Sequence, residues 1–275
     1  MSKRNLDWTK EKYERFIKDG RGKGELSDYK PWLNVQTTPS LGKVSRLYSW
    51  KTGRIHELLS DIQTRYFYLL EWESNVTDIR EHWPLLDIDE VLTNSIDLDI
   101  DKYSALAREV PYILTTTFLI SQKDEKGNER YIARNIKASS ELEKKSTIER
   151  LEIIRRYFEK RNIDFGIVTQ KEIPIAKCKN IEWIRTCHDI GEINGISIGE
   201  KDYLCRTLLD LIKNNMAKPI RKITADFDME QNMESGMGLL VFKHLLARRI
   251  IQVDMDKKID INRTPLILIQ SIDIF

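Results

Sequence analysis

Cysteine is scarce in this chain of 275 residues. The three present, Cys178, Cys187 and Cys205, are an odd number without a C-x-x-C pair. That argues against a disulfide framework and for reduced thiols. Cys187 stands beside His188, but the four spaced ligands of a structural zinc site are absent. Long apolar runs are missing too, since no stretch approaches the roughly 18 residues a membrane span needs. The charged, aromatic start MSKRNLDWTKEKYERF holds no apolar signal core. These absences predict a cytoplasmic protein without a membrane partner. Charge of one sign is lacking as well. Lys and Arg number 45 against 43 Asp and Glu, a formal net charge of +2. Overall charge therefore neither demands nor excludes nucleic acid, and local patches must decide.

What is present is a patterned chain, 41% hydrophobic and 32% charged, long enough for two domains. Residues 1–50 read as an N-terminal arm, irregular apart from a short amphipathic helix over Thr9–Lys18. Within it, DGRGKGELSDYKPW reads either as a flexible loop or, through Arg21 and Lys23, as a contact to a phosphate backbone. From His56 to Trp72 the spacing of Leu58, Leu59, Ile62, Tyr66, Leu69 and Leu70 predicts one helix with a buried face, preceded by a turn at Thr52 and Gly53. VTDIREHWPLL predicts a short strand and loop broken at Pro84. Residues 87–109 carry Asp87, Asp89, Asp97, Asp99 and Asp101 but lack the glycine and terminal glutamate of an EF-hand loop. They read as a solvated acidic loop followed by a short helix.

YILTTTFLIS and YIARNIK are strands by composition, joined by the turn KDEKGNER into a hairpin. SSELEKKSTIERLEIIRRYFEKRN follows as a helix, with Ser139 or Ser140 as its cap and Leu142, Ile148, Leu151, Ile154 and Phe158 on its apolar side. IDFGIVTQKEI is a further strand, apolar enough to be covered on both faces. Residues 51–173 thus form an α/β domain. Residues 174–275 read as a mostly helical domain of winged-helix plan. Its helices are EKDYLCRTLLDLIKNN, PIRKITADFDME and SGMGLLVFKHLLARR, and IIQVDMDKKIDIN forms a two-stranded wing turning at Asp256 and Lys257. Lys243, His244, Arg248 and Arg249 on the third helix, and Arg221 and Lys222 on the second, are candidate phosphate contacts or an ordinary solvated face.

The blocks GRGKGELSDYKPWL, YSWKTGRIHELLSD, LEWESNVTDIREHWPLL, LEIIRRYFEKRNIDF and KEIPIAKCKNIEWI resemble the TnsA family. This is the endonuclease subunit of the heteromeric transposase of cut-and-paste bacterial transposons. The likeness runs from about residue 12 to residue 185. It implies a restriction-endonuclease-like N-terminal domain and a winged-helix C-terminal domain. It also implies cleavage at transposon 5′ ends, a TnsB-like transposase acting on the 3′ ends, and a TnsC-like ATPase that regulates both.

The family's nuclease uses a glutamate on the first helix, an aspartate on the next strand, a Q-x-K on the strand after, and a further glutamate on the following helix. Carried onto this chain, those positions hold Gln63, Thr117, Asn135 with Lys137, and Ile154. Only the lysine matches. Mg²⁺ is usually held through carboxylates plus substrate phosphates, and metal-assisted phosphodiester cleavage depends on that charge. Neutral oxygens do not balance a divalent ion in a partly dry cleft. A relocated ligand would have to come from Glu141, just past Lys137, or from Glu57 or Asp61 on the predicted first helix. Glu71 and Glu73 lie further along it.

The expectation is a TnsA-like DNA-binding and assembly subunit without a working metal site. Its partners would be transposon ends, the transposase and the ATPase; either an active paralogue makes the 5′ cut, or the element transposes without it and leaves joined replicons. The alternatives are a Mg²⁺-dependent endonuclease acting through relocated ligands, and a regulatory binding module unrelated to transposition.

Overall fold

Thr9 opens the first helix, α1 (Lys10–Lys18), where its hydroxyl accepts from the Lys12 backbone N–H at 3.3 Å. In the computed structural model the described residues are 8–36, 38, 42–92, 100–103, 110, 112–191, 197–263 and 268–269. The chain divides into two units, residues 1–173 and 174–275.

The stretch expected to be an irregular arm packs into the first unit. Phe16, Tyr29 and Trp32 are buried. The Tyr29 hydroxyl donates to the Glu81 carbonyl at 3.0 Å, and the Trp32 N–H donates to the His82 carbonyl at 3.3 Å. Gly22, at φ 79°, lies so close to this layer that a Cβ would stand 2.3 Å from Pro84.

Next come β1 (Ser45–Ser49) and β2 (Arg54–Leu58), an antiparallel hairpin turning at Gly53. The helix expected from His56 therefore starts later. Residues 54–58 alternate buried and less buried side chains along a strand. α2 (Asp61–Trp72) begins only after Ser60, whose hydroxyl accepts from the Gln63 N–H. The apolar spacing alone did not separate the two, because leucines on a strand end and on a helix start fall into one near-helical series.

The central sheet is β3 (Val76–Pro84), β4 (Thr115–Lys123), β5 (Glu129–Ile136) and β6 (Asp164–Val168), in that order. The first three are antiparallel, and β6 runs parallel to β5 after a helical crossover. That crossover is α4 (Lys145–Lys160). It has no serine cap: Ser139 to Glu143 form a separate 3₁₀ turn, and Lys144 precedes the helix. Ile148 is exposed, while Leu151, Ile153, Ile154, Tyr157 and Phe158 are buried. Ile153, Ile154, Tyr157 and Phe158 meet Leu119, Ala133 and Leu85 in one core cluster. β6 is an edge strand with two exposed positions, not the doubly covered strand its composition suggested. Within the acidic segment, α3 (Ile88–Val91) is short, and the Asp87 carboxylate takes the Tyr157 hydroxyl and the Arg161 guanidinium. Asp97 and Asp99 lie outside the described residues.

A buried ionic cluster joins the hairpin to the sheet. Glu81 on β3 has no solvent exposure. Its carboxylate receives both terminal nitrogens of Arg54, the Nδ1 of His56 at 2.8 Å and the Glu57 N–H at 3.0 Å. Burial alone would raise this carboxyl. The His56 imidazole and the Arg54 guanidinium outweigh that and hold it well below the usual carboxylate range.

The second unit is a helical assembly. It comprises α5 (Ile175–Ile184), α6 (Ile198–Asn214), α7 (Ile220–Glu230) and α8 (Met237–Ala247), with the short strands β7 (Ile251–Gln252) and β8 (Leu268–Ile269). The polar KEIPIAKCKN segment starts α5 directly at Pro174. The wing expected as a local hairpin does not form, since β7 pairs with β8, Ile251 opposite Ile269. Asn180 on α5 explains the difference. Its Nδ2 donates to the Met255 and Lys257 carbonyls at 2.9 and 2.7 Å, and its Oδ1 accepts from the Ile259 N–H at 3.1 Å. The Met255 carbonyl, which a hairpin turning at residues 256–257 would pair, is thereby held by a helix side chain. Gly238 lets α8 approach α7, because a Cβ there would meet the Thr224 carbonyl oxygen at 2.6 Å.

Two outcomes follow for stability. Glu81→Gln leaves the Arg54 charge buried without its carboxylate and should cost about 3 kcal/mol in urea unfolding; a loss under roughly 0.5 kcal/mol, the scale of a surface change, would contradict this role. The pH dependence has one sign. Burial pushes His82 below its ordinary 6.5, and Glu81 lies below its ordinary 4.5, so at acid pH the unfolded chain binds more protons. The stabilisation is complete above pH 6.5 and declines below it through His82, then again below 4.5 through Glu81. His82→Asn, tolerated at φ 50°, should remove the upper decline in the urea midpoint.

Candidate nuclease site

Strand alternation puts Thr117 and Leu119 of β4 on one face of the sheet, with Ala133, Asn135 and Lys137 of β5 and its extension. It is the face that α4 covers through Ile153 and Ile154. Gln63 enters from the first turn of α2. Gln63, Thr117, Asn135, Lys137 and Ile154 line a single cavity of about 480 Å³. Positions scattered over nearly a hundred residues of sequence thus converge.

The oxygens at these positions are already engaged. Asn135, 1% exposed, accepts at Oδ1 from the Thr117 backbone N–H at 2.7 Å and from the Thr117 hydroxyl at 3.0 Å. The same hydroxyl oxygen accepts from the Ile136 N–H at 3.0 Å. Gln63 Oε1 accepts from the Leu59 N–H at 2.8 Å, closing the start of α2 on itself. Both amide orientations are fixed, because each oxygen faces a backbone N–H that only donates. Asn135 Nδ2 is left as a buried donor without a partner.

A divalent cation needs anionic or free oxygen donors. Among the described residues no Asp or Glu lines the cavity, and no group of three His, Cys, Asp or Glu could hold a metal ion. The residues present do not fit Mg²⁺. The acids considered as relocated ligands stand elsewhere. Glu57 is on β2, not on the helix, and its carboxylate binds Arg46 Nε at 2.9 Å and the Val35 N–H at 3.0 Å. Asp61 is exposed at the start of α2. Glu141 lies 3.7 Å from Lys137 Nζ. Neither these nor Glu71 and Glu73 are in the lining.

The cavity also holds residues that the sequence did not single out: Trp8, Lys12, Trp32, His82, Tyr112 and Arg150. Arg150 could have been found, because it precedes Ile154 by one helical turn and shares its face. Trp8 and Lys12 had no local signal, since only the packing of α1 brings them here. His82 is enclosed, with its Nε2 2.9 Å from the Glu57 carbonyl.

The basic candidates outside the cavity differ in how free they are. Arg21 is turned inward: its guanidinium donates to the Trp32 carbonyl at 3.0 Å and lies 3.7 Å from the Phe16 ring centre. Lys23 is exposed. In the second unit, α8 is buried nearly all round and forms that unit's core, so it does not present a solvated basic face. His244 is buried and its Nδ1 hydrogen-bonds the Cys187 carbonyl at 2.8 Å. Lys243 sits 4.5 Å from the Trp183 ring centre. Arg248 is exposed and Arg249 half-buried. On α7, Arg221 reaches Asn262, and Lys222 pairs with Asp226 at 3.0 Å.

Among the described residues no helix is long and apolar enough to cross a membrane. Comparison with known proteins agrees with the layout. Residues 73–170 match the family described as TnsA-like endonuclease N terminal, and residues 172–255 match TnsA endonuclease C terminal. The Escherichia coli protein named transposon Tn7 transposition protein TnsA is 35% identical over 264 residues, covering 96% of this chain and 93% of that protein. An α/β unit built round a four-stranded sheet, a helical unit after it, and a near full-length relative place the chain in the TnsA endonuclease family.

Proposed function

We propose that this protein serves DNA transposition as a TnsA-type subunit that binds transposon-end DNA without cutting it. In this reading the first unit is a restriction-endonuclease-like domain beginning near residue 51, after an arm over residues 1–50. The second, residues 174–275, is a divergent winged-helix domain. The partners are a TnsB-like transposase and a TnsC-like ATPase, and an active paralogue supplies the 5′ cut. One observation carries the reading: the side-chain oxygens of Gln63, Thr117 and Asn135 are hydrogen-bonded within the protein, and among the described residues no carboxylate lines their cavity. Without anionic ligands, several kcal/mol of charge stabilisation at the phosphoryl group is missing, a rate loss of about a thousandfold or more.

Purified protein given duplex transposon ends with Mg²⁺ or Mn²⁺ should leave the 5′ strands intact. Metal-dependent nicking that Lys137→Ala abolishes would refute the reading. Restoring the family pattern with Gln63→Glu, Thr117→Asp and Asn135→Gln together should create a saturable Mn²⁺ site in calorimetry. The unmodified protein should give only the heat of dilution; one-site saturation there would contradict the proposal.

A further inference from the structure

The described lining of the cavity in the first unit holds no acid and several cations. Lys12, Lys137 and Arg150 line it together with Asn135. Glu141, outside the lining, lies 3.7 Å from Lys137 and offsets part of its charge. Asn135 Nδ2 is buried with no partner, a state that costs about 1–3 kcal/mol. Its direction cannot be reversed, because Oδ1 holds the Thr117 N–H. An unsatisfied N–H on a residue that shares a cavity with ammonium and guanidinium groups complements an anion. It opposes a cation.

The rim adds a second kind of contact. Arg150 Cζ lies 5.9 Å from the Tyr112 ring centre and Lys12 Nζ lies 5.9 Å from the Trp8 ring centre. Tyr112 meets Tyr103 edge-on at 6.0 Å between ring centres but is 54% exposed, which leaves part of its ring for stacking. Cations that follow a phosphate, set beside aromatic faces that take any base, are how unpaired nucleic acid is held. A volume of about 480 Å³ falls within the roughly 300–1,000 Å³ of small-ligand sites.

We propose that this cavity binds a phosphate group directly, without a metal ion, and that the phosphate belongs to an unpaired nucleotide whose base stacks on Tyr112. The inference rests on the non-cleaving reading above. In a working metal nuclease the divalent ion strengthens phosphate binding at such a place. Here Lys137, Arg150 and the Asn135 amide take over that role, and added Mg²⁺ competes for the phosphate instead.

The test titrates the full chain, in EDTA, with inorganic phosphate, thymidine 3′,5′-bisphosphate and a short oligothymidylate. The nucleotide and the oligonucleotide should bind, and Mg²⁺ should not strengthen binding. Arg150→Gln and Lys137→Gln should each weaken every phosphate ligand by about tenfold or more. Tyr112→Ala should weaken the nucleotide and the oligonucleotide by roughly tenfold and leave inorganic phosphate unchanged. Thermal melts check that these substitutions, at exposed or half-buried positions, leave the fold intact. Inorganic phosphate binding as tightly as the nucleotide, with Tyr112→Ala silent, overturns the nucleotide assignment. The site itself is overturned by an absence of binding in EDTA, by binding that requires Mg²⁺, or by binding that both charge substitutions leave intact. If neither nicking nor phosphate binding is seen, this inference alone falls; metal-dependent nicking removes the reading beneath it.

Discussion

The carboxylate of Glu81 is the tie on which the first unit hangs. It gathers Arg54, His56 and the Glu57 backbone from the β1–β2 hairpin onto the middle of β3. The hairpin leads directly into Ser60 and α2, so the position of Gln63 in the cavity is inherited from that tie. The packed N-terminal segment depends on the same strand through the carbonyls of Glu81 and His82. A buried charge cluster of this kind is weak evidence for net stability but strongly resists loss of one member. Its value here is positional, since it fixes where the edge of the sheet meets the helix.

The two acidic economies of the unit differ. Glu81 is enclosed and kept ionised by its partners. In the cavity, where the family's chemistry would require exposed carboxylates, neutral side chains bond one another and the chain's own amides. Neutral donors and acceptors can satisfy each other in a small space, and Asn135 and Thr117 do so with two short bonds. What remains is a buried donor in a lining that holds Lys137 and Arg150 and, among the described residues, no acid, so the site suits an anion better than a metal ion.

How much of this could be read beforehand depended on the kind of signal. The β4–β5 hairpin, the helix after it and the existence of a further strand were legible because period and turn chemistry agree locally; the edge position of that strand was not. The family positions Gln63, Thr117, Asn135, Lys137 and Ile154 were legible through resemblance, and they converge in space. The start of α2 was misread because β2 ends in leucines that continue a helical spacing. The wing was misread because three bonds from Asn180, some 75 to 79 residues away in sequence, override local alternation. The fate of Arg21, stacked on Phe16, and of His244, enclosed beside Cys187, could not be seen at all: a basic residue on paper carries no mark of burial.

The mutual grip of Asn135 and Thr117 has an evolutionary consequence. Thr117 gives its hydroxyl hydrogen and its backbone N–H to Asn135 Oδ1 and takes the Ile136 N–H in return. An aspartate appearing alone at position 117 would set a second acceptor against that oxygen and lose the donor. A change at Asn135 alone would strand the threonine. Neighbours that share bonds do not mutate independently, so each single step that would place a metal ligand at either position runs uphill. The pair locks its own chemistry.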